Sequence, residues 1–239
     1  IVNRMNDKIV LILNSSIFVA RDFKKIKKLI NFTNKNEKKK ANLQWGFQRI
    51  KQHSLGIKRL EQLDVFKDFS NIIFTDNTVN SKILIPRKIT KKLPLDTIYI
   101  LRRINKIGKF NKGAGLIENL QYCIKYIENF DYLVYFEPRL YAENNYFFKD
   151  FLSKPRNLFF KQKNDYKSGY FGVSTEDFIN FLNKTNTNEM IDKNLTVESL
   201  LFKEFENLKP DYILEAFTKR NIGYKKKLSI HDKEAYETY

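Results

Sequence analysis

Residues 111–140 read NKGAGLIENLQYCIKYIENFDYLVYFEPRL, and this stretch decides the architecture. Leu116, Leu120, Ile124 and Ile127 recur at helical spacing, with Tyr122, Cys123 and Tyr126 widening the stripe, which predicts an amphipathic helix over 116–129. Asp131 to Phe136, DYLVYF, is a short apolar and aromatic run that predicts a buried strand. The tripeptide Glu137-Pro138-Arg139 stands where that strand should end. In open α/β sheets ligands gather beyond the carboxyl ends of the strands, so Glu137 and Arg139 are the first candidates for a functional site.

Upstream, Lys8 to Leu13 (KIVLIL) is a continuous apolar run that meets Asn14-Ser15-Ser16, as expected of a buried parallel strand entering a polar loop. Asn71 to Phe74 (NIIF) ends in the same way at Thr75-Asp76-Asn77-Thr78, and Thr97 to Leu101 (TIYIL) is a third core strand. These ends make Asn14, Ser15, Asp76 and Asn77 candidates for nucleotide contact; Asp and Asn are equally ordinary turn formers. Helices are expected over Val19–Ile30 and in one or two pieces over Leu43–Phe69, with a polar surface loop over 31–42. A short strand is expected within Ser81–Ile89.

The basic segment from Arg102 to Lys112 leads into Gly113-Ala114-Gly115. A helix amino terminus there is a possible anion site, with Lys112 beside it, because free N–H groups and the helix dipole favour phosphate. Close packing explains the same glycines equally well. Beyond Arg139 the pattern predicts a helix over 144–152, a strand at Asn157–Phe160, a polar connection over 161–167, and helices opened by Thr175 and Thr196. The order β, α, β, β, α, β, α, β with a helical end describes one α/β domain over residues 1–239 with a mainly parallel central sheet flanked by helices. The division expected is a nucleotide-binding half at 8–140, an acceptor-side half at 141–224 and a basic tail at 225–239.

Composition narrows the partners. Lys+Arg 44 against Asp+Glu 27 leaves +17, which favours anionic partners: nucleic acid, an anionic membrane surface or phosphorylated small molecules. Cys123 is the single cysteine, which rules out an intrachain disulfide and a cysteine-based zinc site and fits a reducing, cytoplasmic setting. No apolar run approaches the ~18 residues of a membrane span, and no charged-then-apolar leader opens the chain.

The arrangement resembles the GT-A fold of nucleotide-sugar glycosyltransferases, a single Rossmann-like domain. Gly115-Leu116-Ile117-Glu118-Asn119-Leu120 is similar to the GxxxNL helix that precedes the family's Asp-x-Asp strand, and Glu137-Pro138-Arg139 occupies the Asp-x-Asp place. Gly169-Tyr170-Phe171-Gly172 resembles its acceptor-side glycine loop, Val197-Glu198-Ser199 its x-Glu-Asp motif, and His231 its phosphate- or metal-holding histidine.

The resemblance implies a glycosyltransferase of polysaccharide biosynthesis that uses a nucleotide-sugar donor and a glycan or lipid-linked acceptor, at the inner face of an anionic membrane. It also implies nucleotide contacts from Asn119, Glu137 and His231. Two departures shape the chemistry. Arg139 stands where the family has a metal-ligating Asp, so the expectation is transfer without a divalent metal, the guanidinium supplying the positive charge. Ser199 stands where the family has its base, so Glu198 is the candidate base, with Arg139 the other catalytic residue. The competing readings are a basic nucleic-acid-binding protein and another nucleotide-dependent enzyme such as a nucleotidyltransferase.

Overall fold

The computed structural model describes residues 8–17, 35–103, 105–213 and 218–220, with side chains described from 48 onward in the first helix. The helix expected over Val19–Ile30, the tail at 225–239 and His231 lie outside the described residues.

The run KIVLIL forms β1 (Ile9–Ser15), every residue of which is buried. Ile9, Leu11 and Leu13 face one apolar layer while Val10 and Ile12 face the other. A strand covered on both faces has no solvent side, which is why its sequence does not alternate. Beside it lie β2 (Asn71–Asp76), β3 (Ile98–Leu101) and β4 (Tyr132–Phe136). The sheet has seven strands in the order β3-β2-β1-β4-β7-β6-β8, with β6 (Leu158–Gln162), β7 (Asp165–Ser174) and β8 (Asp211–Ile213) completing it. β7 is antiparallel to both neighbours, β4 and β6, and the other four pairings are parallel. This is the expected α/β architecture: a mainly parallel sheet flanked by helices.

One face carries α1 (Lys35–Gln62), α2 (Val65–Asp68), α3 (Arg87–Thr90) and α5 (Tyr146–Ser153). The other carries α4 (Lys112–Ile127), α6 (Thr175–Lys184), α7 (Thr187–Asp192) and α8 (Val197–Phe205). On that second face an aromatic stack crosses the sheet, Tyr135 on Phe171 at 4.8 Å and Phe159 on Tyr166 at 4.7 Å. Two further strands, β5 (Leu140–Ala142) and β9 (Thr218–Arg220), form a separate antiparallel pair.

Several expectations are corrected. Residues 35–42 are helical, part of α1, rather than loop; the run KNEKKKA consists mostly of good helix formers. No strand forms within 81–89: a 3-10 turn at Lys82–Leu84 and α3 stand there, with Pro86 at the cap, where its missing N–H costs nothing. The stretch 161–174 is a hairpin rather than a connection and a loop, since β6 turns into the ten-residue β7 through Lys163, whose φ is 56°. Ser174, not Thr175, caps α6 by accepting the Asp177 N–H. Thr196 caps α8 as expected.

Candidate functional site

The chain leaves β1 for β2 on one side and returns through α4 to β4 on the other, so the topological switch lies between β1 and β4. Crevices form beyond the carboxyl ends of strands at such a switch. The structure brings Asn14, Ser15, Asp76, Asn77 and Asn119 together there, all with no more than 6% of their surface exposed.

Their polar atoms are largely turned on one another. Asp76 Oδ2 accepts the Ser15 hydroxyl at 2.5 Å and the Ile17 N–H at 2.9 Å, and Oδ1 accepts the Thr78 N–H and hydroxyl at 2.7 and 2.5 Å. Four donors saturate a carboxylate, so Asp76 ties the end of β1 to the end of β2. Asn77 accepts the Ser16 hydroxyl and donates to the Gly115 carbonyl. Asn119 donates to Asn14 Oδ1 at 2.9 Å and to the Thr75 hydroxyl at 3.0 Å. This network ties the carboxyl ends of β1 and β2 to α4 at the switch point.

Beyond the end of β4 stands Glu137-Pro138-Arg139. The Glu137 N–H donates to the Gly169 carbonyl at 2.7 Å, continuing the β4–β7 ladder. Arg139 Nε donates to Glu137 Oε1 at 2.6 Å and Nη2 reaches the same oxygen, while the side chains remain 34% and 25% exposed. Helix α1 holds this turn from behind. Gly56 packs so closely on the Pro138 and Leu140 carbonyls that any Cβ would clash, and Arg59 donates to the carbonyls of Ala142 and Glu143.

Two residues of α1 that the sequence reading passed over also reach the site. Arg49 donates to the Ser16 carbonyl at 2.7 Å. His53, fully buried, bonds the Arg49 carbonyl through Nδ1; burial first, then the Arg49 charge, push its pKa well down, and Arg139 adds to the same effect. Their one sequence signal is a cation and a histidine among the apolar positions of a helix, and that pattern has many structural causes.

Tyr135 of β4, also missed, is buried beside the site. Burial first, then the Glu137 charge, raise the pKa of its hydroxyl well above the usual value, against the opposing effect of a hydrogen bond to Asn14. Glu198 lies in the first turn of α8 and accepts the Ser168 hydroxyl at 2.5 Å from β7. Ser199 is spent on the Thr196 cap.

Other candidates land elsewhere. Tyr170 and Phe171 are buried in the core, and Gly172 faces the Phe151 ring so closely that a side chain would collide with it. Gly169 to Gly172 is therefore strand and core rather than an open loop. At the start of α4, Asn111 accepts the Ala114 N–H and donates to the Met190 and Leu195 carbonyls, so this helix end is capped and docked on α7. Gly115 allows contact with Gly108, and Gly113 faces Val197 and Met190, so the glycines serve packing. Lys112 stands exposed at the first helical position.

Arg139 has no lone pair to offer a cation, and among the described residues no three His, Cys, Asp or Glu side chains gather. A depression of about 580 Å³ lies at the amino end of β4, lined by Glu128, Asp131, Thr175 and Asn180, at the opposite end of the sheet from the crevice.

Neither a family model nor a curated protein sequence matches the chain. Among solved structures it is similar to a "putative nucleotide-diphospho-sugar transferase" from Desulfovibrio desulfuricans G20, at 7% identity and TM-score 0.49, over 87% of this chain and 79% of that one. It is also similar to HddC from Yersinia pseudotuberculosis, at 11% identity and TM-score 0.36, over 73% of this chain and 79% of that one. Likenesses this distant assign neither family nor activity, so the functional reading rests on the residues at the switch point.

Proposed function

We propose that the protein is a nucleotide-sugar-dependent glycosyltransferase that delivers a sugar to a glycan or lipid-linked acceptor without a divalent metal. The observation that carries this reading is the part-exposed Glu137–Arg139 pair at the carboxyl end of β4, beside the switch point. A diphosphate entering the crevice meets the Arg139 guanidinium, whose planar fork matches two phosphate oxygens. Glu137, released from the pair, accepts a ribose hydroxyl. Lys112 adds charge at the rim. As the bond from sugar to diphosphate breaks, negative charge collects on the leaving oxygen, and Arg139 stabilises it where a family metal would.

Glu198 takes the proton from the acceptor hydroxyl as the new glycosidic bond forms. It lies in the first turn of α8, and base work requires a carboxylate within reach of the hydroxyl. Residues 8–140 supply the donor side and 141–224 the acceptor side in this reading, and His231 adds a phosphate contact.

Calorimetric titration with UDP, GDP and CMP in the presence of chelator tests the proposal. One nucleotide is expected to bind, and Arg139→Ala to weaken it by about 10- to 100-fold, the worth of a charge-assisted hydrogen bond. Stability should change by less than ~1 kcal/mol, because the pair is part-exposed. Glu198→Gln should retain binding and lose turnover. Nucleotide binding that appears only with manganese, or none at all, defeats the reading.

A further inference from the structure

Residues 77–97 join β2 to β3 and lie along the outer edge of the sheet. One side of this crossover is anchored: Ile85, Ile89 and Leu93 are buried in the same cluster as Ile57 and Leu60 of α1. The Lys82 ammonium sits 4.2 Å from the Tyr99 ring centroid, Ser54 donates to the Lys88 carbonyl, and Lys92 pairs with Glu61. Yet Ile83 is 89% exposed, Leu84 50% and Leu95 102%, large aliphatic side chains held out from the protein by a well-anchored backbone.

Cations flank them along the chain. From Lys82 to Asp96 the sequence has five Lys and Arg against the single acid Asp96, so 5 − 1 = +4 of the chain's +17 falls in this short stretch. Arg87, Lys88 and Lys91 are exposed and, among the described residues, no carboxylate pairs with them.

We propose that this face docks the protein on an anionic lipid bilayer, the aliphatic tips entering the headgroup boundary while the cations meet lipid phosphates. A bilayer surface is the partner that takes both chemistries at once. Nucleic acid would satisfy the charge but offers nothing to leucine and isoleucine, and single-strand binding uses exposed aromatic platforms. A second copy of the same face would bring like charges together across a two-fold interface. Among the described residues no helix is long and apolar enough to cross a membrane, so the attachment is to the surface. The proposal stands apart from the transfer reading and survives its failure.

Vesicle co-sedimentation of the full chain tests it, using phosphatidylcholine vesicles with and without phosphatidylglycerol. The wild type should partition onto the anionic vesicles only. The double variants Ile83→Ser/Leu95→Ser and Lys88→Glu/Lys91→Glu should each lower the partition coefficient by about tenfold or more, the scale set by polybasic contacts. Their melting temperatures should match the wild type, since all four side chains are exposed. Equal partition by all three proteins overturns the proposal. So does an absence of vesicle binding, whether accompanied by a gel shift of random oligonucleotides lost only in the charge variant or by a dimer lost only in the apolar variant.

Discussion

Replacing Asp76 by Asn separates an architectural carboxylate from a ligand-binding one. Each carboxylate oxygen takes one hydroxyl and one backbone N–H: Ser15 and Ile17 on Oδ2, Thr78 twice on Oδ1. An amide keeps one acceptor and turns the other into a donor. A hydroxyl facing that donor can rotate and accept; a backbone N–H cannot. Whichever way the amide is placed, the N–H of Ile17 or of Thr78 loses its acceptor. An unsatisfied buried donor costs about 1–3 kcal/mol, and the two bonds still made to the amide oxygen lose roughly 1 kcal/mol each with the charge. Relief from burying a carboxylate offsets part of this, so the expected loss is about 3 kcal/mol, a large share of the ~5–15 kcal/mol that holds a domain together. In urea unfolding followed by circular dichroism this moves the midpoint by about 1 M at unchanged slope, for a slope near 3 kcal/mol/M. A loss under ~1 kcal/mol combined with weakened nucleotide binding would refute the reasoning and return Asp76 to the ligand.

Gly56→Ala should destabilise the protein by about 1–3 kcal/mol, although alanine is worth ~1 kcal/mol more than glycine in an ordinary helix, because the new methyl meets the rigid Pro138 and Leu140 carbonyls. The same displacement should weaken nucleotide binding, and a raised melting temperature would count against the packing of α1 on the site. Glu206 accepts from Lys161 at 2.8 Å, Tyr166 at 2.5 Å and Tyr212 at 2.6 Å, and these bonds, Lys161 first, lower its pKa from 4.5 to about 2. A depressed folded pKa contributes stability that is present above pH 4.5 and lost as pH falls toward 2. The stability gap between wild type and Glu206→Gln should therefore close across that window in a pH series of melts; a gap that is flat with pH would show that the cluster is not tuned by its charge.

The parts of the fold legible in the sequence are those set by near neighbours. KIVLIL announces a strand buried on both faces, and the stripe Leu116, Leu120, Ile124 shows helix α4, because strand and helix periods are local. Glu137 to Arg139 were legible as the end of a strand, because the close of an apolar run is visible in the chain. Three-residue strands such as β5, β8 and β9 are too short to carry a period, and β7 appeared as polar linker and glycine loop because its pairing with β4 comes from far away.

Tertiary structure alone decided what the polar residues do. Asp76 looks the same in sequence whether it faces a ribose or is consumed by Ser15, 61 residues distant. Asn119 could not reveal that it reaches Asn14 across 105 residues. A hydrogen bond is directional and satisfied once, so a side chain's role depends on which partner the fold delivers to it. Apolar burial has no such direction, and so the sequence by itself determined the layers while the fold determined the site.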